Sequence, residues 1–207
     1  MGIDCNLRDQ LTFYGSFHAN KWNQLIHFVF VPVIFWSFLV WLAYTPELIA
    51  YDVYKHLPSG TPAWALTVAR YLSFNGAFVI TALYGTYYTV LDAFAGLSWS
   101  LCVGLPAWAG AVAFRTRVPN AWAWAILIHV LSWVMQILPG HIWAEKRRPA
   151  LLTSFFQSVV LAPLFVWYEL LFLLGYRPQL YADINARIQR NVAEYRAAQR
   201  PLLASGQ

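Results

Sequence analysis

The chain has 207 residues, of which 59% are hydrophobic, 18% aromatic and only 11% charged. A soluble domain carries about 25% charged residues, so this composition excludes an ordinary cytosolic enzyme, a disordered chain and a secreted disulfide scaffold. It predicts a small integral membrane protein. The net charge of +5 comes from basic residues that flank apolar runs, without a basic stripe interleaved with aromatic residues. This pattern favours the lipid bilayer as partner and argues against nucleic acid.

Five apolar runs follow a polar N-terminal segment, and their lengths are typical of helices that cross a hydrocarbon core of about 30 Å. In chain order they lie at 25–44, 70–91, 95–114, 121–138 and 151–174. A tight turn is predicted at Asp92, between the second run and the third. The last run contains Gln157, Pro163 and Glu169, which suit a re-entrant or protein-buried segment better than a lipid-facing one.

Two topologies fit these runs. If all five span the bilayer, the C-terminal tail lies opposite the N-terminal segment. If the fifth run enters and returns near 162–163, the tail joins the N-terminal side, and the distribution of Lys and Arg favours this second arrangement. In both, the first span begins and the fourth span ends on the same face. We expect an all-α polytopic membrane bundle with four to five transmembrane helices, forming a single domain over 1–178.

The polar tail, 179–207, carries apolar residues at spacings of three and four, namely Ile184, Ile188, Val192 and Tyr195. This spacing places them on one side of a helix. The tail is therefore predicted to be an amphipathic helix on the membrane surface.

Histidines concentrate at the face shared by the start of the first span and the end of the fourth. Three of the five lie there and a fourth lies deeper in the fourth span: His18, His27, His141 and His129. Imidazole is the commonest metal ligand, and polar groups at membrane depth tend to be functional. A metal site and a set of polar interfacial anchors both remain open. The fifth histidine, His56, lies beside Lys55 in a loop and is expected to be solvated.

Spacing constrains any site that these histidines form. His18 and His27 would lie about 13.5 Å apart along a straight helix, so the chain must bend near 20–23 for both to bind one metal. His129 and His141 would lie about 18 Å apart, and Pro139 with Gly140 can break the helix between them. A bend near 20–23 is thus a condition of any metal site that includes both His18 and His27.

Glu145 follows His141 by four residues, so the two would share one face of a short helix. Two histidines and one carboxylate form the ligand set of non-haem Fe(II) oxygenases. Glu145 can instead pair with Lys146 or Arg148 in the same loop. Both roles remain open at this point.

Two motifs and their continuation resemble the membrane-bound, Fe(II)-dependent 2-hydroxy fatty acid dioxygenase family of fatty acid α-oxidation. The first matches at Tyr14, His18, Asn20, Asn23, His27 and Pro32. The second matches at Trp133, Gln136, Gly140, His141, Glu145 and 146–151, and the continuation runs from Gln157 to Pro178. The resemblance covers nearly the whole chain, although 45–125 matches only in hydropathy.

The resemblance implies a reaction in which a long-chain 2-hydroxy fatty acid and O2 give a fatty acid one carbon shorter and CO2, during sphingolipid breakdown. It implies Fe2+ held by His18, His27 and His141, with His129 the weakest candidate because it lies outside the motif. Glu145 and Asn23 are the expected catalytic residues. The expected substrate-binding residues are Arg147, Arg148, Lys146, Asn20, Gln136 and Gln157. The basic loop 146–148 can alternatively anchor the chain to lipid headgroups.

Two departures from the family pattern bear on the site. Lys21 replaces the usual proline after Asn20, so the bend there must have another origin. Pro139 is an additional residue between Gln136 and Gly140, and it shifts Gln136 by a helical step relative to His141.

The location follows from the same features. An integral protein of the endoplasmic reticulum membrane is expected in a eukaryote, or of the inner membrane in a bacterium, with the active site on the cytosolic side. The competing hypothesis is a non-catalytic transporter or scaffold, in which Arg70 and Glu169 would line a pathway. The sequence does not indicate an oligomeric state.

Overall fold

A computed structural model describes residues 6–150 and 154–204, and all its regular elements in these ranges are helical. The α-helices are α1 (Leu7–Gly15), α2 (Lys21–Leu42), α3 (Ala63–Ala69), α4 (Gly76–Leu91), α5 (Ala93–Trp99), α6 (Leu105–Arg117), α7 (Ala121–Met135), α8 (Phe155–Leu173) and α9 (Pro178–Ala204). A 3₁₀ turn lies at Val53–His56, and two π-helical segments lie at Ser100–Gly104 and Gln136–Glu145. The all-α prediction is confirmed for the described residues.

The chain divides into two compact units, Val29–Val134 and the pair of segments Met1–Phe28 and Met135–Gln207. In the Val29–Val134 unit, α4 and α5 pack together across the predicted turn. The Asp92 side chain makes this turn by accepting a hydrogen bond from the Ala95 backbone N–H at 3.0 Å, as the N-cap of α5.

Three helices among the described residues are long and apolar enough to cross a membrane, fewer than the four to five predicted. They are Lys21–Leu42, Ala93–Arg117 and Ala121–Glu145. The second predicted run falls short because Asn75 caps α4, so the helix begins at Gly76 rather than near position 70. Its 16 residues extend about 24 Å, less than a hydrocarbon core of about 30 Å. α8 is longer, at 19 residues, and its apolar stretch Ser158–Leu173 covers only residues whose side chains the structure describes.

In the unit that contains both chain ends, α9 packs on α1. Ion pairs join Arg8 to Asp183 at 2.9 Å and Arg187 to Asp9 at 3.4 Å. This packing agrees with the topology in which the tail lies on the N-terminal side. It also means that Ile184 and Val192 on α9 are buried in the protein, although their face was predicted to meet the membrane surface.

Candidate metal centre

Three of the predicted ligands come together in the unit that contains both chain ends. His18 lies in the turn after α1, His27 in the second turn of α2, and His141 in the π segment Gln136–Glu145. One ring nitrogen of each lies within 4.8 Å of the others, and the three side chains are only 3%, 3% and 4% exposed. The turn at 16–20 supplies the bend that the spacing of His18 and His27 requires.

Backbone carbonyls orient two of the rings. His18 Nδ1 is 2.8 Å from the Tyr14 carbonyl oxygen, and His27 Nδ1 is 3.0 Å from the Asn23 carbonyl oxygen. A carbonyl can only accept, so each Nδ1 carries the proton and each Nε2 keeps its lone pair. This use of the second ring nitrogen is typical of metal-bound histidines.

Two buried ring nitrogens have no hydrogen-bond partner, namely His18 Nε2 and His141 Nδ1. An unsatisfied buried polar atom carries a free-energy cost, which a bound metal ion would remove. Ligand nitrogens about 2.1 Å from a first-row metal lie roughly 3.0–4.2 Å from one another. The observed limit of 4.8 Å is only slightly larger, so the three histidines fit a metal ion after a small contraction.

The surroundings of His18 favour the neutral form of its ring, which is the form that binds a metal ion. Burial lowers the pKa of His18 well below its usual range, and repulsion from His27 and His141 adds to the shift. The ring is therefore neutral at pH 7, as a metal ligand must be. Tyr14 stacks on the His18 ring at 4.1 Å, and burial raises the pKa of its hydroxyl, which stays protonated.

The helix does not break at Pro139 and Gly140 as predicted, because it widens into a π-helix instead. In a π-helix, hydrogen-bonded residues are five apart rather than four. Gln136 and His141 are separated by five positions, so the extra residue returns them to one face, and both are buried. The expected displacement of Gln136 is therefore absent, and its side-chain Nε2 is buried without a partner.

Gly140 allows α2 to approach the π segment closely. A Cβ atom at this position would lie 2.7 Å from Asn23 Oδ1 and 3.5 Å from His27 Cε1. The absent side chain therefore leaves room for the buried Asn23 side chain, one helical turn before His27.

Glu145 is not one of the three grouped ligands, and no ion pair joins it to Lys146 or Arg148 among the described residues. Its carboxylate accepts hydrogen bonds from the backbone N–H groups of Ala19 and Asn20 at 3.2 and 2.9 Å, and from Asn23 Nδ2 at 3.0 Å. These donors lie at the start of α2, where helix N–H groups lack partners and a negative charge is favourable.

The start of α2 also explains how the chain tolerates Lys21. Asn20 Oδ1 accepts a hydrogen bond from the Trp22 backbone N–H at 2.8 Å, and Asn20 Nδ2 donates to the Ala144 carbonyl at 2.9 Å. Lys21 occupies the first helical position, where proline is favoured but not required. The bend therefore comes from Asn20 and Glu145.

The three basic residues of the predicted substrate site have different surroundings. Arg147 donates from Nη1 to the Ser16 carbonyl at 2.7 Å, and its guanidinium lies between the rings of Phe17 and Tyr195 at 3.9 and 4.0 Å. Lys146 and Arg148 are exposed, and Lys146 has a left-handed backbone with φ of 57° at the end of the π segment.

His129, the weakest of the predicted ligands, has other partners in the protein. His129 donates from Nδ1 to Ser37 Oγ at 2.9 Å and accepts at Nε2 from Trp133 Nε1 at 2.9 Å. Both of its nitrogens are occupied by protein, so the predicted ligand role is not supported. The side chain of Gln157 lies outside the described part of the structure.

Sequence reasoning missed contributions from α9. Asn191 Nδ2 donates to Ser16 Oγ at 2.9 Å, and Tyr195 covers the Arg147 guanidinium. Tyr195 belongs to the apolar series that predicted the tail helix, but nothing in that series indicates a contact with the loop 146–148. Such a contact depends on tertiary packing.

Fold and site together define an all-helical protein with a buried three-histidine centre that could hold a metal ion. The family described as 2-hydroxy-palmitic acid dioxygenase Mpo1-like matches residues 5–174. The chain is also 31% identical over 190 residues to 2-hydroxy-palmitic acid dioxygenase MPO1 of Saccharomyces cerevisiae, covering 90% of this chain and 94% of that protein. It therefore belongs to the Mpo1-like family. No solved structure gives a significant match.

Proposed function

We propose that this protein is an iron-dependent dioxygenase that shortens long-chain 2-hydroxy fatty acids by one carbon. The buried cluster of His18, His27 and His141 is the observation that carries the proposal, because its free nitrogens suit a first-row metal. The similarity to an enzyme named for 2-hydroxy-palmitic acid supports this class of substrate.

The proposed reaction converts R–CH(OH)–COOH and O2 into R–COOH, CO2 and H2O. The bond between the carboxyl carbon and C2 breaks, and C2 is oxidised to the new carboxyl carbon while O2 is reduced. Fe(II), when bound, supplies the site at which O2 and the 2-hydroxy acid meet. No further oxidant is needed for the atoms and electrons to balance.

The protein's own residues have three tasks in this proposal. The carbonyls of Tyr14 and Asn23 hold the His18 and His27 rings in the tautomer that exposes Nε2. Burial of the three histidines excludes bulk water. Gln136 offers an unpartnered buried amide N–H one π-helical turn from His141, and we assign it to a substrate oxygen.

We assign Glu145 and Asn23 to positioning rather than to proton transfer. The Glu145 carboxylate already accepts three hydrogen bonds at the start of α2. Asn23 donates to the Phe17 carbonyl as well as to Glu145. These contacts tie the turn that carries His18 to the helix that carries His27 and to the segment that carries His141.

We further propose an integral membrane location, in the endoplasmic reticulum membrane of a eukaryote or the inner membrane of a bacterium, with the centre on the cytosolic side. Three sufficiently long apolar helices support this location. Large apolar side chains on them are exposed, for example Leu101 at 66% and Leu131 at 53%, and lipid would cover such side chains.

The test is purification of the full chain followed by iron analysis and an assay with 2-hydroxypalmitate under O2. We expect stoichiometric iron, and O2 consumption that matches the release of CO2 and of the shortened acid. A folded protein that holds no iron and produces neither product would instead fit a non-catalytic transporter or scaffold.

A further inference from the structure

A cavity of about 550 Å³ lies in the unit that contains both chain ends, beside the turn that carries His18. Its walls come from that turn, from the end of the π segment and from the last turns of α9. The polar residues that decide its chemistry are Asn20, Lys146, Arg147, Tyr195, Arg196 and Gln199.

Two hydrogen-bond acceptors of this cavity, the Glu145 carboxylate and the Asn20 side-chain oxygen, are already engaged. The Glu145 carboxylate accepts from Ala19, Asn20 and Asn23. Asn20 uses its side-chain oxygen for the Trp22 backbone N–H. The wall therefore offers few acceptors to a ligand.

Donors, by contrast, remain available. Lys146 and Arg196 make no ion pair with any other residue that the structure describes. The Tyr195 hydroxyl accepts from Gln199 Nε2 at 2.8 Å and keeps its own proton for donation. Arg147 donates from Nη1 to the Ser16 carbonyl, and this bond leaves its other N–H groups available. Three cations and a phenol hydroxyl thus line one cavity, against the single carboxylate of Glu145, whose charge is already met by three hydrogen-bond donors.

A ligand that only accepts hydrogen bonds and carries negative charge complements this set of donors. Carboxylate and phosphate groups have these properties, and charge-assisted hydrogen bonds to them are stronger than neutral ones. The cavity volume lies within the range of about 300–1,000 Å³ found for small-molecule sites.

We propose that this cavity binds the carboxylate or phosphate headgroup of an anionic lipid, with Lys146 and Arg196 as its main charged partners. The choice of a fatty acid carboxylate over a phospholipid phosphate rests on the proposed function. Arg196 and Tyr195 lie beyond residues 5–174, so this site includes residues that the family match does not cover.

The test uses the full chain in detergent after metal removal by chelation, so that binding is independent of iron. Palmitate, methyl palmitate, phosphatidic acid and inorganic phosphate are titrated separately by calorimetry. We expect palmitate to bind and its methyl ester to bind much more weakly. Lys146→Gln and Arg196→Gln should each raise the Kd about three- to tenfold, as loss of one partly exposed charge-assisted hydrogen bond implies.

Two variants serve as controls. Arg196→Lys retains the charge and should bind palmitate within about threefold of the parent, since it loses only the planar fork. Arg190→Gln removes the same charge from an exposed position of α9 outside the cavity, and the Kd should not change.

Each outcome decides the proposal. Binding of phosphatidic acid in place of palmitate, with the same dependence on Lys146 and Arg196, keeps the site and assigns it to a membrane lipid. Equal binding of palmitate and its methyl ester overturns the proposal. So does a result in which both Gln variants bind palmitate as tightly as the parent, or in which inorganic phosphate binds as tightly as the lipids. Since no metal is present, loss of the dioxygenase proposal leaves this result unaffected.

Discussion

The three buried histidines are the residues on which metal binding depends most directly. We expect His18→Ala, His27→Ala and His141→Ala each to lose most bound iron, because each removes one of three ligand nitrogens. Metal analysis of the purified variants is the measurement. His56→Ala, in an exposed loop, is the matched control and should retain iron. Full iron content in any of the three variants would remove that residue from the centre.

The metal-free protein should lose stability as the pH falls. In the unfolded chain His18 titrates near pH 6.5, about its ordinary value, whereas in the folded chain its pKa is well below that value. Below about pH 6.5 the unfolded state therefore binds a proton that the folded state does not. The free energy of unfolding falls by up to about 1.4 kcal/mol per pH unit for such a group, and this contribution vanishes above that pH.

Denaturant unfolding of the metal-free chain between pH 7.5 and 5 measures this effect. His18→Gln removes one of the titrating groups and should show a shallower loss of stability over the same range. Identical slopes for the parent and the variant would show that His18 is not the group responsible.

Gly140 offers a test of the close approach between α2 and the π segment. Gly140→Ala places a Cβ atom 2.7 Å from Asn23 Oδ1, so the buried Asn23 side chain or the two segments must shift, and iron affinity should fall about tenfold or more. Gly110→Ala is the control, because its Cβ would meet Trp36 Nε1 at an ordinary 3.5 Å. Metal competition assays on both variants give the comparison. Equal affinities would show that the contact at Gly140 is not needed.

For individual residues, the sequence predicted the metal ligands better than it predicted the contacts around them. His18, His27 and His141 stood out because histidines are few in this chain and two long motifs contain them. The engagement of His129 by Ser37 and Trp133 could not be predicted, since it depends on which faces of two distant segments meet.

Helix α2 depends on a hydrogen-bond acceptor from a distant part of the chain, the Glu145 carboxylate. Glu145→Ala would leave the N–H groups of Ala19 and Asn20 without their acceptor, at a cost of about 1–3 kcal/mol in the free energy of unfolding. Because the same contacts hold the turn that carries His18, iron affinity should fall as well. Thermal unfolding and metal titration measure the two effects. Glu194→Ala, exposed on α9, should change neither, and a Glu145→Ala protein as stable as the parent would disprove the role.

The helices themselves were largely predictable, but their variations were not. The apolar runs predicted α2, α4 and α7 close to their observed positions, and Asp92 predicted the turn after α4. The π segment was missed because proline and glycine together usually indicate a helix break. Whether a helix widens or breaks depends on what the extra residue packs against, which the sequence alone does not specify.

For the molecule as a whole, the membrane topology is the main expectation still to be measured. In a background lacking Cys5 and Cys102, Lys21→Cys and Arg190→Cys should react with an impermeant thiol reagent from the cytosolic side. Ser59→Cys, beyond the far end of α2, should react only from the opposite side. All three positions are exposed. Labelling of positions 21 and 190 from opposite sides would restore the alternative of five full spans.

Hydropathy alone predicted more spans than there are described helices long and apolar enough to cross a membrane. It identifies where apolar residues are dense, and α4 and α8 are apolar throughout much of their length. It does not reveal that Asn75 caps a helix and shortens it below the thickness of a bilayer. The packing of α9 on α1 could not be predicted either, because an amphipathic helix has the same sequence pattern whether its apolar face meets lipid or protein.

The π segment has an evolutionary consequence. A chain without Pro139 would place Gln136 and the histidine four residues apart, which is one turn of an ordinary α-helix, and the two side chains would again share a face. Insertion or deletion of a single residue inside a helix normally rotates everything beyond it away from its partners. Here the segment can gain or lose one residue by changing helix type, so two lengths of the same motif are compatible with one arrangement of ligands.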